Sequence, residues 1–359
     1  MKINPLHILY VGLKNDYGKP ALGNSFEYVN FHETLVRSGN YRVDLFPYDE
    51  VLRDAGRDEM NKKLLSTVKD TKPDLCFFVL FTDEIKKETI REITEKSGSI
   101  TFNWFGDDHW RFSNYSKYWA PLFHWVSTTD SASVDKYLKI GYQNIIKTQW
   151  GYNHHQYRSH NIVKDHQVTF IGQVHSHRRR TVHQLEESGI VIDCWGKGWE
   201  AGRLSQYEMI RMYSRSKINL NFTESSVALR WKPIVKVFLN RRADDSLHIN
   251  SALQMVQNIH VLTNERRPQI KGRNFEIPGS GGFLLTQNAD NLGEYFIPGS
   301  EIAVFSDLND LKDKIKYYLS NDKEREDIRL AGYQRAIRDH TYEKRFLEIF
   351  QTMRLLPKL

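Results

Sequence analysis

Lys271-Gly-Arg-Asn-Phe-Glu-Ile-Pro-Gly-Ser-Gly-Gly-Phe-Leu-Leu-Thr286 is the stretch from which the rest of the chain can be read. A basic pair, Lys271 and Arg273, and a lone acid, Glu276, precede Gly279, Gly281 and Gly282 and a short apolar run. Glycine permits positive φ and lets the backbone approach a ligand closely. Consecutive free N–H groups beside two cations suit a phosphate or diphosphate. Glu276 repels a phosphate but can accept hydrogen bonds from hydroxyls, as a carboxylate does on a ribose. The stretch reads as a grip on both ends of a nucleotide-sugar. It reads equally as a helix–loop–strand connection with a solvated Lys-Arg-Glu triplet.

Short apolar runs followed by glycine or polar loops recur on both sides of it. His7 to Gly12, Tyr41 to Pro47, Asp74 to Phe81, Ser99 to Gly106, Trp125 to Asp130 and Asn144 to Thr148 read as strands. Helical spacing of apolar residues separates them at Ser25 to Val36, Met60 to Lys72, Thr82 to Lys96 and Ser131 to Gly141. The pattern restarts with strands at Gln167 to Gly172, Ile190 to Trp195 and Lys217 to Thr223, and ends in helices at Leu308 to Leu319, Lys323 to Arg338 and Tyr342 to Leu355. Such alternation predicts an α/β chain with two doubly wound, Rossmann-like domains. The expected boundaries are 1–155, 156–340 with an insertion near 224–267, and a terminal helix in 341–359. Trp150 to Asp165 is polar enough to read as the linker. No G-x-G-x-x-G follows the first strand.

With 359 residues the chain is long for one core and comfortable for two. A formal charge of +7 favours anionic partners, without choosing among nucleotides, phosphorylated glycans, acidic membrane and nucleic acid. Cys76 and Cys194 lie in apolar runs and read as reduced, buried residues; no Cys/His zinc spacing occurs, and the adjacent His154-His155 reads as an exposed linker pair, so no metal site is expected. There is no signal-peptide layout and no apolar run near the roughly 20 residues that span a bilayer, so the expected location is cytoplasmic.

A second informative stretch is Ser99-Ile-Thr-Phe-Asn-Trp-Phe-Gly-Asp-Asp-His-Trp110. An apolar strand delivers Asp107, Asp108 and His109 to the loop at its carboxyl end, where open α/β sheets bind ligands. A carboxylate or imidazole there can act as general base toward a hydroxyl. Neighbouring side chains on extended backbone point opposite ways, so one Asp is expected to face the ligand and the other the protein. Helix capping by an Asp is the competing reading.

The block Phe275 to Thr286, followed by Asp290-Asn-Leu-Gly-Glu-Tyr-Phe and Val304-Phe-Ser-Asp-Leu-Asn-Asp-Leu, resembles the donor half of a GT-B glycosyltransferase, most closely the CgeB-like, spore-maturation branch of the group 1 glycosyltransferases. Trp104-Phe-Gly-Asp-Asp resembles a block of the same branch. The resemblance implies two Rossmann-like domains with the active site in the cleft between them, and a last helix that crosses back to the first domain. It implies metal-independent transfer from a nucleotide-diphosphate sugar, a UDP-sugar first, with no cofactor required. Glu276 matches the acid that holds the donor ribose. Many relatives carry a further glutamate eight positions earlier; here that position is Pro268. Lys271 and Arg273 would hold the diphosphate, together with the loop after Gly172, which brings Arg178, Arg179 and Arg180. Gly196, Lys197 and Trp199 would lie at the base. The loop containing Tyr17 and Asn24 would face the acceptor.

The stretch 224–267 adds Arg230, Trp231, Lys232 and further basic residues, which suit an anionic acceptor or a solvated surface. The acceptor expected is a hydroxyl-bearing glycan or protein, with DNA as an alternative drawn from the basic charge. A binding protein without catalysis is the reading that Pro268 motivates. Oligomeric state and stereochemical outcome stay open.

Overall fold

The computed structural model describes residues 5–223, 239–241, 247–249, 251, 255 and 267–357. The chain divides into two compact units. Met1–Gln149, Trp231–Asn264 and Tyr342–Leu359 form the first, and Trp150–Arg230 with Glu265–Thr341 the second.

The first unit is built on six parallel strands: β1 (His7–Gly12), β2 (Arg42–Pro47), β3 (Leu75–Phe78), β4 (Ile100–Phe105), β5 (Trp125–Thr128) and β6 (Ile145–Lys147), in the order β2-β1-β3-β4-β5-β6. β1 and β3 are buried along their whole length, which is why they read as unbroken apolar runs. The order reverses between β1 and β3, so the loops leaving these two strands part and open a crevice at the carboxyl edge. The terminal helix Tyr342–Thr352 packs on this unit: Phe346 meets Phe77 at 5.5 Å and Phe31 at 5.6 Å, and Tyr342 meets Phe31 at 4.9 Å between ring centroids.

Two expected helices change their bounds. The one expected over Thr82 to Lys96 starts at Lys87, because the Glu84 carboxylate accepts from the Thr82 N–H (2.8 Å) and hydroxyl (2.6 Å) and locks that segment as a turn. The one expected over Met60 to Lys72 spans Tyr48–Thr71, broken at Gly56, where φ is 80°.

The second unit carries a parallel sheet of β7 (His166–Ile171), β8 (Asp193–Trp195), β9 (Ser216–Asn221), β12 (Leu284–Gln287) and β13 (Ala303–Phe305), in the order β13-β12-β9-β7-β8. Its reversal lies between β7 and β9, so the loops after those strands line its crevice. A short antiparallel pair, β10 (Leu239–Arg241) and β11 (Leu247–Ile249), is the described part of the basic insertion. Among the described residues no helix is long and apolar enough to cross a membrane.

Candidate functional site

In the second unit the decisive stretch folds as a short helix, Arg273–Gly279, that runs through a turn into β12. Its entry is fixed by a buried amide network. Asn274 Oδ1 accepts from the Lys271 N–H (2.9 Å) and from Asn221 Nδ2 (3.1 Å), and Asn274 Nδ2 donates to Thr286 Oγ1 (3.2 Å). Asn221 ends β9, so this network ties Lys271 and Arg273 to the strand bordering the crevice.

Arg178, in the helix Ser176–Glu186 after β7, reaches the same crevice. Its Nη1 donates to Gln173 O (3.0 Å) and its Nη2 to Phe222 O (3.4 Å), from the loops leaving β7 and β9. Burial and then the nearby Arg273 cation push its pKa down to about 10. Burial also opposes the charge of Arg273, but Tyr213, Glu276 and Tyr157 outweigh it and raise its pKa. The buried Arg273 Nε has no hydrogen-bond partner. Two half-buried guanidinium groups therefore repel each other at one end of the sheet. An anion binding there would relieve both.

Glu276 lies one helical turn beyond Arg273, 3% exposed, and its Oε1 accepts from Tyr157 Oη at 3.0 Å. Burial raises the pKa of its carboxyl, against the opposing pull of Arg273 and the Tyr157 hydrogen bond. Tyr157 belongs to the stretch read as a polar linker. Instead Tyr152 and Tyr157 are buried in the core of this unit, because aromatic bodies carried on polar neighbours anchor the segment. Tyr157 was thus missed as a partner of the acid. The signal was two tyrosines in a run otherwise rich in His and Asn.

The glycines do not act as expected. Gly281 N–H donates to Pro278 O (2.8 Å) and Gly282 N–H to Ile277 O (2.9 Å), closing the C-terminal end of the helix. Those amides are spent and buried, so they form no cradle for a diphosphate. A Cβ at Gly279 would stand 2.5 Å from the Tyr152 ring, at Gly281 2.3 Å from Ser159 Oγ and at Gly282 2.9 Å from Asn219 Nδ2. The three glycines are there for close packing, and Gly281 also for its φ of 72°.

Gly172 and Gly196 are neighbours, since a Cβ on Gly196 would lie 2.2 Å from Gly172 O. Trp199 is turned inward: its Nε1 donates to Gly172 O (2.9 Å) and its ring meets Phe170 edge-on at 6.2 Å. Lys197 is exposed, while its carbonyl accepts from Val174 N–H (3.0 Å). Arg179 is exposed, with Nη2 on Gly198 O at 3.0 Å, and Arg180 is exposed. Position 268 is Pro, with its carbonyl receiving the Gln269 side-chain amide at 3.1 Å.

In the first unit the Asp-Asp-His trio separates. Asp107 is exposed. Asp108 is 1% exposed, and its Oδ2 accepts from Tyr137 Oη at 2.9 Å; burial is the main reason its pKa rises to about 6. Asp108 begins the short helix Asp108–Arg111 and turns into the protein, so of the two acids Asp107 is the one open to solvent. His109 is buried in the same turn. The loop after β1 is pinned by the Asp49 carboxylate, which accepts from Lys14 N–H (2.8 Å), Asn15 N–H (3.0 Å) and Asn15 Nδ2 (2.9 Å). This holds Tyr17 at φ 51°, 62% exposed, with its ring against Phe81 at 5.7 Å. Asn24 is exposed and pairs with Asn15 across the loop neck. Arg230 and Lys232 lie outside the described residues.

One acid that the sequence did not single out joins Asp107. Glu27 is partly buried, and burial, followed by the charges of Asp107 and Asp16, lifts its pKa to about 7. Only the approach of β4's loop to β1's makes it notable, and local pattern does not encode that approach.

Residues 177–239 and 239–351 match a family model described as glycosyl transferase-like. No curated protein matches the chain. Among solved structures, HepE from Anabaena in complex with UDP is similar over 98% of this chain and 100% of its own, with a TM-score of 0.59 and 10% identity. Sucrose-phosphate synthase from Thermosynechococcus elongatus is similar over 98% of each chain, with a TM-score of 0.59 and 9% identity. A glycosyltransferase from Rickettsia africae is similar over 98% and 99%, with a TM-score of 0.57 and 10% identity. The chain thus has the GT-B fold. Its second unit carries most of the segment that matches a glycosyltransferase family.

Proposed function

We propose that the protein is a glycosyltransferase that moves a hexosyl group from a UDP-sugar to a hydroxyl acceptor, within the CgeB-like branch. The observation that carries this is the Arg178–Arg273 pair beside Glu276, at the reversal of a parallel sheet in a GT-B fold. HepE has been solved with UDP-glucose, which supports the same donor class here. Arg178, Arg273 and Lys271 bind the diphosphate. Glu276, steadied by Tyr157, receives the ribose hydroxyls. As the sugar departs, negative charge builds on the diphosphate, and the two guanidinium groups stabilise it in place of a metal. Asp107, the exposed member of its trio, belongs to the acceptor side.

The test is thermal denaturation with UDP, UDP-glucose and free nucleotides in EDTA. A ligand that binds only the native state raises the melting temperature by mass action. UDP and UDP-glucose are expected to raise it, and Glu276→Ala to abolish the rise beyond its own loss of stability. No shift at millimolar ligand, or an unchanged shift in the variant, would sink the donor assignment.

A further inference from the structure

Trp110-Arg-Phe-Ser-Asn-Tyr-Ser-Lys-Tyr-Trp119, in the first unit, packs five aromatic rings and two cations into ten residues. The stretch winds from the short helix Asp108–Arg111 through a π-helix, Phe112–Ser116, into Lys117–Trp119. π-Helical turns are rare and gather at functional sites. Phe112 and Trp119 are buried in the core of this unit and anchor the stretch, while Tyr118 is 47% exposed and Trp110 and Tyr115 are half-buried. Each cation lies over a ring. Arg111 Cζ stands 4.0 Å from the Tyr115 centroid and 5.7 Å from that of Trp110. Lys117 Nζ is 4.7 Å from the Tyr118 centroid. Lys87, which begins the helix Lys87–Lys96, brings its Nζ to 5.8 Å from Tyr118 and 5.3 Å from Trp119. The Tyr115 and Trp119 rings meet at 5.5 Å, so these groups form one continuous strip. Arg111 Nη2 donates to Phe81 O at 2.7 Å, which joins the strip to the exposed Phe81 and Tyr17 rings.

A cation seated on an aromatic face is held in place without a carboxylate and keeps its charge available to a ligand. Among the described residues Lys87, Arg111 and Lys117 form no ion pair. The two acids in the field of Tyr115 are engaged elsewhere: Asp83 lies 3.6 Å from Arg57, and Glu84 accepts from the Thr82 N–H and hydroxyl. The strip therefore alternates fixed positive charge with ring surface. Its complement is a chain that alternates negative charge with flat π-faces, which single-stranded nucleic acid does at every nucleotide. A duplex keeps its bases stacked on one another, and an acidic glycan has no aromatic face. We propose that this strip of the first unit is a binding surface for single-stranded nucleic acid. Lys87, Arg111 and Lys117 take the phosphates, and unstacked bases lie against Tyr118 and Trp110. The surface belongs to the first unit alone and stands whether or not the protein uses a UDP-sugar.

The experiment titrates the full chain into a fluorescently labelled oligothymidine about 20 nucleotides long, enough to cover a site of roughly 4–16. Anisotropy is read over a series of salt concentrations, with circular dichroism to confirm that each variant keeps the parent's fold. Tyr118→Ala should bind about 5- to 150-fold more weakly, the loss of one stacked base. The double variant Lys87→Gln with Lys117→Gln should flatten the slope of log affinity against log salt by about 1.4, two phosphate contacts on a single strand. Lys316→Gln, on the helix Leu308–Ser320 of the second unit, should bind as the parent does. The same oligothymidine paired with oligodeoxyadenosine should bind at least ~10-fold more weakly than the single strand. No binding by the parent at low salt overturns the proposal. So does Tyr118→Ala binding within twofold of the parent, or a duplex held as tightly as the single strand. Polygalacturonate that binds more tightly than the oligonucleotide, and loses affinity in Tyr118→Ala, would give the strip to an acidic glycan instead.

Discussion

The carboxyl edges of the two sheets are built alike and charged oppositely. In each unit a parallel sheet reverses its order, and charged side chains lie in the segments at its carboxyl edge. In the first unit these are Glu27, Asp107 and Asp16; in the second they are Arg178 and Arg273. Burial, and then repulsion, lift Glu27 to about 7 and lower Arg178 to about 10. The two edges thus share a fold and differ in the charge they carry: acids at one, guanidinium groups at the other.

The sharpest way to break this contrast is to remove the cation. Arg273→Ala should weaken UDP by about 1.5–3 kcal/mol, roughly 10- to 150-fold, the range for hydrogen bonds to charged groups. The loss should shrink in high salt. Calorimetric titration at two ionic strengths checks it. A variant that binds UDP as well as the parent would show that the paired arginines serve packing alone.

Next comes the buried acid of the other unit. The native state holds the Asp108 proton up to about pH 6, whereas an unfolded Asp releases it near its ordinary value of 3.8. Stability of this unit should thus fall as pH rises from about 4 to 6 and stay level above, by about 3 kcal/mol if the shift is fully expressed. Asp108→Asn keeps an acceptor for Tyr137 and should flatten that part of the pH–stability curve. An unaltered slope would mean that Asp108 is not the group responsible. Glu27 slopes the same way, up to about 7, so the residual slope of the variant reports on Glu27.

The chemistry was less legible than the fold, for a physical reason. A buried parallel strand must be apolar on both faces, so β1 and β4 stand out as local runs. Even there β3 is shorter than its run, because Leu80 N–H goes to Asn103 Oδ1 (3.2 Å) and Phe81 N–H to Tyr48 Oη (3.1 Å) instead of to a neighbouring strand. Lys271, Arg273 and Glu276 could be singled out as candidates because they crowd one short stretch. Glu27 could not be, because part of what raises its pKa is the charge of Asp107, far along the chain, and a single acid between Phe26 and Tyr28 looks like any helix surface. The turn at 279–282 misled because glycine serves phosphate contact and close packing equally well, and only the hydrogen bonds tell them apart.

Gly281→Ala separates those two uses. At φ 72° an alanine is strained, and its Cβ would fall 2.3 Å from Ser159 Oγ and 2.8 Å from Ser159 Cβ. Together these should cost about 1–2 kcal/mol of stability, visible as a lower melting temperature. The Gly281 amide already serves Pro278 O, so UDP affinity of the folded protein should change by less than threefold. A large loss of affinity with little loss of stability would return the turn to the phosphate. In that case the cationic edge would include backbone donors as well as Arg178 and Arg273, and the contrast between the two edges would rest on main chain as much as on side-chain charge.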